Sequence, residues 1–208
     1  MDKFKGKYRI KSHRKPNWDY SNRGYYFITL VTQNRECNLG KIVDGKMILS
    51  DFGKIIKTEW YKSFKIRDEL FLDKFIIMPN HLHAIIVLGK PINNNDKSNG
   101  SHVETHGRAS LQPVNQSKKQ PFVRKPKSIS SFIGGFKSVI NSKIDDYIDV
   151  NNLGIPKYNR NNHFFQPNYH DHIIRNDKSY RNISEYIINN PIKWNDDRFN
   201  PTNQSSRQ

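Results

Sequence analysis

The chain has 208 residues, with 35 Lys and Arg against 19 Asp and Glu, a formal net charge of +16. That length fits one domain with a real core, and that charge calls for a polyanion or an anionic membrane surface as partner. An aromatic content of 12% argues against a chain disordered throughout, and the single cysteine, Cys37, excludes an internal disulfide and a thiolate zinc finger.

The start, MDKFKGKYRIKSHRKP, has no apolar segment behind its charges, and no apolar run approaches the length of a membrane span. A cytoplasmic protein that meets nucleic acid, nucleoid-associated when bound to DNA, is therefore expected. After a basic, irregular first twenty residues, YYFITLVTQN (25–34) is rich in β-branched and aromatic residues and predicts a strand. KIVDGKMIL (41–49) predicts a short hairpin around Asp44-Gly45. In SDFGKIIKTEWYKSF, Ser50 is a good N-cap, and Phe52, Ile55, Ile56, Trp60 and Phe64 recur at helical spacing. LFLDKFIIMPNHLHAIIVLG predicts two strands broken at Met78-Pro79-Asn80, where proline cannot donate to a ladder.

Residues 91–127 are polar, basic and without period, and are expected to form a flexible insertion within a single 1–208 domain. SISSFIGGFKSVINSKIDDYI (128–148) predicts a helix that the Gly134-Gly135 pair should weaken. HFFQPNYHDHIIRN (163–176) has no clear period, and DKSYRNISEYIINN (177–190) predicts a helix stopped by Pro191. Strand, strand, helix, strand, strand, helix, helix implies an α+β sandwich, an antiparallel sheet flanked by helices.

Alternation along a strand places His81 and His83 on one face, with Leu82, Ala84, Ile86 and Leu88 filling the buried one. Such a pair can chelate one divalent cation or can be two satisfied structural histidines, and the spacing alone leaves both readings open. His102, Glu104 and His106 lie in the polar insertion with nothing to hold them rigid. His170 and His172 repeat the H-x-H spacing but diverge if that stretch is turn or helix, and read as DNA-facing or structural. On the last helix Tyr186 and Asn190 share a face one turn apart. Asn190 can offer a carbonyl oxygen to a metal, and Tyr186 can be a nucleophile, although taken alone it reads as a packing residue.

MPNHLH on a strand followed by YIINNP on a late helix, in a small basic chain, resembles the single-tyrosine HUH transposases and most of all the REP-associated tyrosine transposases. WDYSNRGYYFITLVTQNRE, GKMILSDFGKI, FIIMPNHLHAIIVL, SISSFIGGFKSVINSK, FFQPNYHDHIIRND and EYIINNPIKW are each similar to that family's blocks, in the same order. The resemblance implies a ferredoxin-like core, Mg²⁺ or Mn²⁺ held by His81, His83 and Asn190, and Tyr186 as nucleophile. It also implies a substrate of single-stranded DNA folded into an imperfect hairpin, often a repetitive extragenic palindrome, acted on by a monomer or a homodimer. The reaction expected is a transesterification through a 5′-phosphotyrosine. Lys137, Lys143, Arg175 and His172 are candidate DNA contacts, together with the basic residues of KYRIKSHRK, while Trp18 and Tyr20 are candidate stacking platforms. A non-catalytic hairpin-binding protein and a phosphodiesterase using water remain the alternatives.

Overall fold

A computed structural model describes residues 18–89, 126–159 and 161–203, together with a small antiparallel ladder of β1 (Lys3–Phe4) and β2 (Lys7–Tyr8). The histidines at 102 and 106, nearly all of the 91–127 segment and most of the basic stretch 7–15 lie outside the described residues. The main sheet begins with β3 (Gly24–Val31). A separate hairpin of β4 (Gly40–Val43) and β5 (Lys46–Leu49) turns at Asp44-Gly45, both at positive φ (49° and 69°) as a tight two-residue turn requires. Helix α1 (Asp51–Lys65) starts from Ser50, whose side chain accepts the Gly53 N–H. Strands β6 (Leu70–Met78) and β7 (His81–Leu88) follow, joined by Pro79-Asn80. Helix α2 (Ile129–Val150), strand β8 (His170–Ile174) and helix α3 (Asp177–Asn189) complete the order.

The four long strands form one antiparallel sheet in the order β6-β7-β3-β8. Taken with α1 and α2 this is the βαββαβ ferredoxin-like arrangement, an α+β sandwich as the sequence implied. Strand β8 is the element the sequence reading passed over. It pairs Phe27 with His172 and Thr29 with His170, so the 170–172 stretch is neither turn nor helix and its two histidines share a face.

On one side of the sheet, Leu82, Ala84, Ile86 and Leu88 pack with Ile28 and Leu30 against α1 and α2. Trp60 is the hub of that layer, stacked on Phe75 at 5.3 Å and edge-on to Phe136 at 4.8 Å and Phe132 at 5.4 Å. Helix α2 runs through Gly134-Gly135 unbroken. A capping box at Ser128 and Ser131 and the buried side chains from Ile129 to Ile148 offset the roughly 1 kcal/mol each glycine costs a helix interior.

The second face is covered as well. Ile183 and Ile187 of α3 pack on Ile85 and Ile174, with Tyr25, Phe27, Ile76 and Tyr180 around them. Every residue of β7 is therefore buried, the histidines included. Tyr20 is buried too, its hydroxyl donating to the Asp171 carboxylate, so it packs in the core and cannot serve as the stacking platform proposed for it.

Replacing Trp60 with Ala should lower the unfolding free energy by about 3–5 kcal/mol, because the α1–α2 layer cannot collapse into the gap left among three phenyl rings. Urea denaturation followed by circular dichroism measures it.

Candidate active site

His81 and His83 stand two residues apart on β7, their rings 4.5 Å apart between centroids. Each is fixed from behind by its Nδ1. That of His81 meets the Asn80 carboxamide oxygen at 2.8 Å, and that of His83 meets the Thr29 hydroxyl at 2.8 Å, directly across the β3–β7 ladder. Both Nε2 atoms are thereby left for other partners. His83 Nε2 lies 3.2 Å from the Tyr186 hydroxyl, while His81 Nε2 is buried with no hydrogen-bond partner.

Helix α3 delivers the rest. Its apolar stripe seats it on the histidine face, which places Tyr186, 41% exposed, at the boundary between the imidazoles and solvent. One turn on, Pro191 ends regular helix and Asn190 is buried, its Nδ2 donating to an Asp197 carboxylate oxygen at 3.2 Å and its Oδ1 without a partner. The chain then returns over the site through a short 3₁₀ turn (Trp194–Asp196), and the Phe199 ring covers His81 at 4.6 Å.

Two orphaned acceptors, His81 Nε2 and Asn190 Oδ1, are unusual in a buried site, because an unpaired buried polar group costs about 1–3 kcal/mol. A cation would satisfy both. His81, His83 and Asp197 can bring ligand atoms within 4.8 Å of one another, and among the described residues they are the one such cluster of metal-ligating side chains. Neutral imidazole with amide and carboxylate oxygen suits a divalent first-row ion, so the residues present fit one.

Electrostatics favour that state of the ligands. Burial, then the charge of Arg198 and the neighbouring His170, pushes His83 down to about 3, and burial followed by His83 and Arg198 holds His81 well below its ordinary range. Burial, followed by the negative charge of Asp197, raises the Tyr186 phenol, while the Asn190 amide and Arg198 pull it back. An open groove beside Tyr186 is lined by the cations Lys193 and Arg198, the carboxylates Glu185, Asp196 and Asp197, and asparagine amides.

Tyr186 and Asn190, more than a hundred residues from the histidines in sequence, are thus brought beside them. His172 is exposed on the same sheet face, and the Arg175 guanidinium lies 5.9 Å over the half-buried Trp18 ring at the far end of the sheet. Lys137 and Lys143 sit on α2, behind the opposite face. Lys137 donates to the backbone carbonyls of Gln166, Pro167 and Asn168, and Lys143 pairs with Asp146, so both have local roles away from the histidine face. Asp197, Arg198, Asn80 and Thr29 are the participants that sequence reasoning missed. Asp197 and Arg198 lie in a segment with no period to align them with Asn190. Thr29 is betrayed only by being a polar residue between Phe27 and Val31 on one strand face.

No family model matches the sequence. An uncharacterized protein of Haemophilus influenzae (strain KW20 / Rd) is 32% identical over 197 residues, which span 93% of this chain and 94% of that protein. Among solved structures, the REP-associated tyrosine transposase bound to a REP hairpin aligns with a TM-score of 0.50 at 18% identity, over 88% of this chain and 74% of its own. At that identity the likeness is one of fold. Among the described residues, no helix is long and apolar enough to cross a membrane.

The buried neutral histidines set a pH dependence. The unfolded chain takes up protons on these imidazoles near 6.5, whereas the fold resists until about 3 at His83. Protons therefore favour the unfolded state, and metal-free stability should decline as pH falls through this window, by at most about 1.4 kcal/mol per pH unit for each histidine. Urea midpoints at pH 7 and pH 5 measure the decline, and His83→Gln should make it shallower.

Proposed function

The chain belongs to one family with the uncharacterized Haemophilus influenzae protein, and we propose that it is a metal-dependent tyrosine transposase of the HUH type. Its substrate in this reading is single-stranded hairpin DNA, cut and rejoined at Tyr186. The observation that carries the reading is the Tyr186 hydroxyl 3.2 Å from His83 Nε2, at the mouth of a site whose His81 and Asn190 lone pairs face no partner. Binding DNA requires none of these groups together, and a hydrolase using water has no need of an exposed phenol at this point.

The chemistry is a transesterification. Tyr186 gives up its phenol proton to solvent and its oxygen attacks phosphorus in line, a tyrosyl O–P bond forms, the P–O3′ bond of the DNA breaks, and the departing 3′ oxygen takes a proton from solvent to become a free hydroxyl. The product is a 5′-phosphotyrosine whose phosphodiester energy is retained, so a second 3′ hydroxyl can attack it and rejoin strands without another energy source. A divalent ion held by His81, His83 and Asn190, with the Asp197 carboxylate in reach, would supply Lewis-acid stabilisation of the charge on the phosphodiester. Arg198 and Lys193 set positive charge against the three carboxylates of the groove, and Arg198 also lowers the cost of forming the phenolate. Helix α3 holds the nucleophile on a rigid element, where positioning supplies much of the rate. With one tyrosine assigned, cleavage and joining alternate at one site. His172, exposed on the histidine face, is in this reading a contact for flanking DNA.

Incubating the protein with end-labelled single-stranded hairpin DNA and Mg²⁺ or Mn²⁺, followed by a denaturing gel, tests the proposal. A covalent protein–DNA adduct that is lost in Tyr186→Phe and in the presence of chelator is expected. Cleavage without an adduct would point instead to activated water, and binding with neither product would point to a non-catalytic DNA-binding protein.

A further inference from the structure

Asn80, at the turn immediately before the histidine pair, is wholly buried, and both its amide hydrogens and its carboxamide oxygen have partners. Its two amide hydrogens go to backbone carbonyls, Nδ2 donating to Arg35 at 3.0 Å and to Phe199 at 2.7 Å. The opposite amide orientation would set an oxygen against two carbonyl oxygens, so the orientation is fixed by its surroundings. The carboxamide oxygen, able only to accept, then faces His81 Nδ1 at 2.8 Å, and that nitrogen must carry the proton. It follows that His81 presents a bare lone pair at Nε2, the atom left without a partner.

The same chain of bonds continues to the other orphaned acceptor. Phe199, whose carbonyl accepts from Asn80, donates its backbone N–H, in the preceding peptide unit, to Asp197 Oδ1 at 2.6 Å. Asp197 Oδ2 in turn accepts from Asn190 Nδ2 at 3.2 Å, which leaves Asn190 Oδ1 as a lone pair with no donor. Every bond between the two ends is assigned a donor and an acceptor, and both free ends are acceptors.

We infer that Asn80 is a positioning residue: by setting the His81 tautomer, it holds that imidazole in ligand form for a divalent cation. This rests on the reading that His81 and Asn190 hold that cation. A purely structural Asn80 would tie the turn to residues 35 and 199 and nothing more, and the two roles separate experimentally. Asn80→Asp keeps an acceptor for His81 Nδ1–H but turns an oxygen toward the two carbonyls, so it should lower the melting temperature and leave Mn²⁺ affinity close to wild type. Asn80→Ala removes the acceptor as well and should weaken Mn²⁺ binding about 10- to 100-fold, the usual effect of losing the group that orients a metal-bound histidine.

Isothermal titration of the metal-free full chain with Mn²⁺, with thermal melts of each variant, reads both effects without DNA or turnover. Long-range ¹H–¹⁵N spectra of the metal-free wild type read the His81 tautomer directly, whether or not either variant folds. Protonation at Nδ1 together with the split between the two variants is expected. Protonation at Nε2, or Mn²⁺ affinity that merely follows stability in both variants, would overturn the role of Asn80 alone. A wild type that binds no Mn²⁺ would overturn it together with the metal reading of the site.

Discussion

Strand β7 is buried along all eight residues, and two of them are imidazoles. In a buried strand every ring nitrogen needs a partner, and burial forbids the charged form, so the histidines must be neutral and individually oriented. Much of what surrounds them answers that constraint: Thr29 across the ladder, Asn80 at the turn, Tyr186 from α3, and the returning segment with Asp197 and Phe199. What those groups leave unanswered, at His81 Nε2 and Asn190 Oδ1, is where the chemistry is expected.

The ferredoxin-like frame explains why such a site is placed on the second face. Helices α1 and α2 build the larger hydrophobic core through Trp60, Phe132 and Phe136. The histidine face is then free to carry a smaller apolar cluster of Ile85, Ile174 and Ile187, just enough to seat α3 at one height and hand Tyr186 to the edge of solvent. A candidate nucleophile on a helix and metal-ligand candidates on a central strand are both rigidly supported, and the groove beside Tyr186, where Lys193 and Arg198 face Glu185, Asp196 and Asp197, is open.

Much of this was legible in the residues. The alternation in HLHAIIVL put both imidazoles on one face, and the spacing of Tyr186 and Asn190 put both on one face of α3, as found. Strand β8 was not legible because Pro167 interrupts its approach and its outward residues, His170 and His172, are polar, so an edge strand with one wet side reads like a loop. Whether one face of the sheet or both would be covered was open in the sequence, because the cover of the histidine face comes from α3 and a non-periodic tail, which no pattern on β7 itself records. Tyr20 looked like an exposed ring because its partner, Asp171, is 151 positions away. Asp197 and Asn80 were invisible for a related reason: their roles consist of hydrogen bonds to the Phe199 backbone, and backbone partners leave no trace in side-chain spacing.

The central claim is that this face of the sheet is a preformed cation site beside a tyrosine. Anomalous X-ray scattering from crystals of the protein grown with Mn²⁺ tests it most directly. The account predicts one strong peak within ligand distance of His81 Nε2, His83 Nε2 and Asn190 Oδ1, with the Tyr186 hydroxyl facing it. A site that stays empty at saturating Mn²⁺, or an ion bound only elsewhere on the chain, would contradict it.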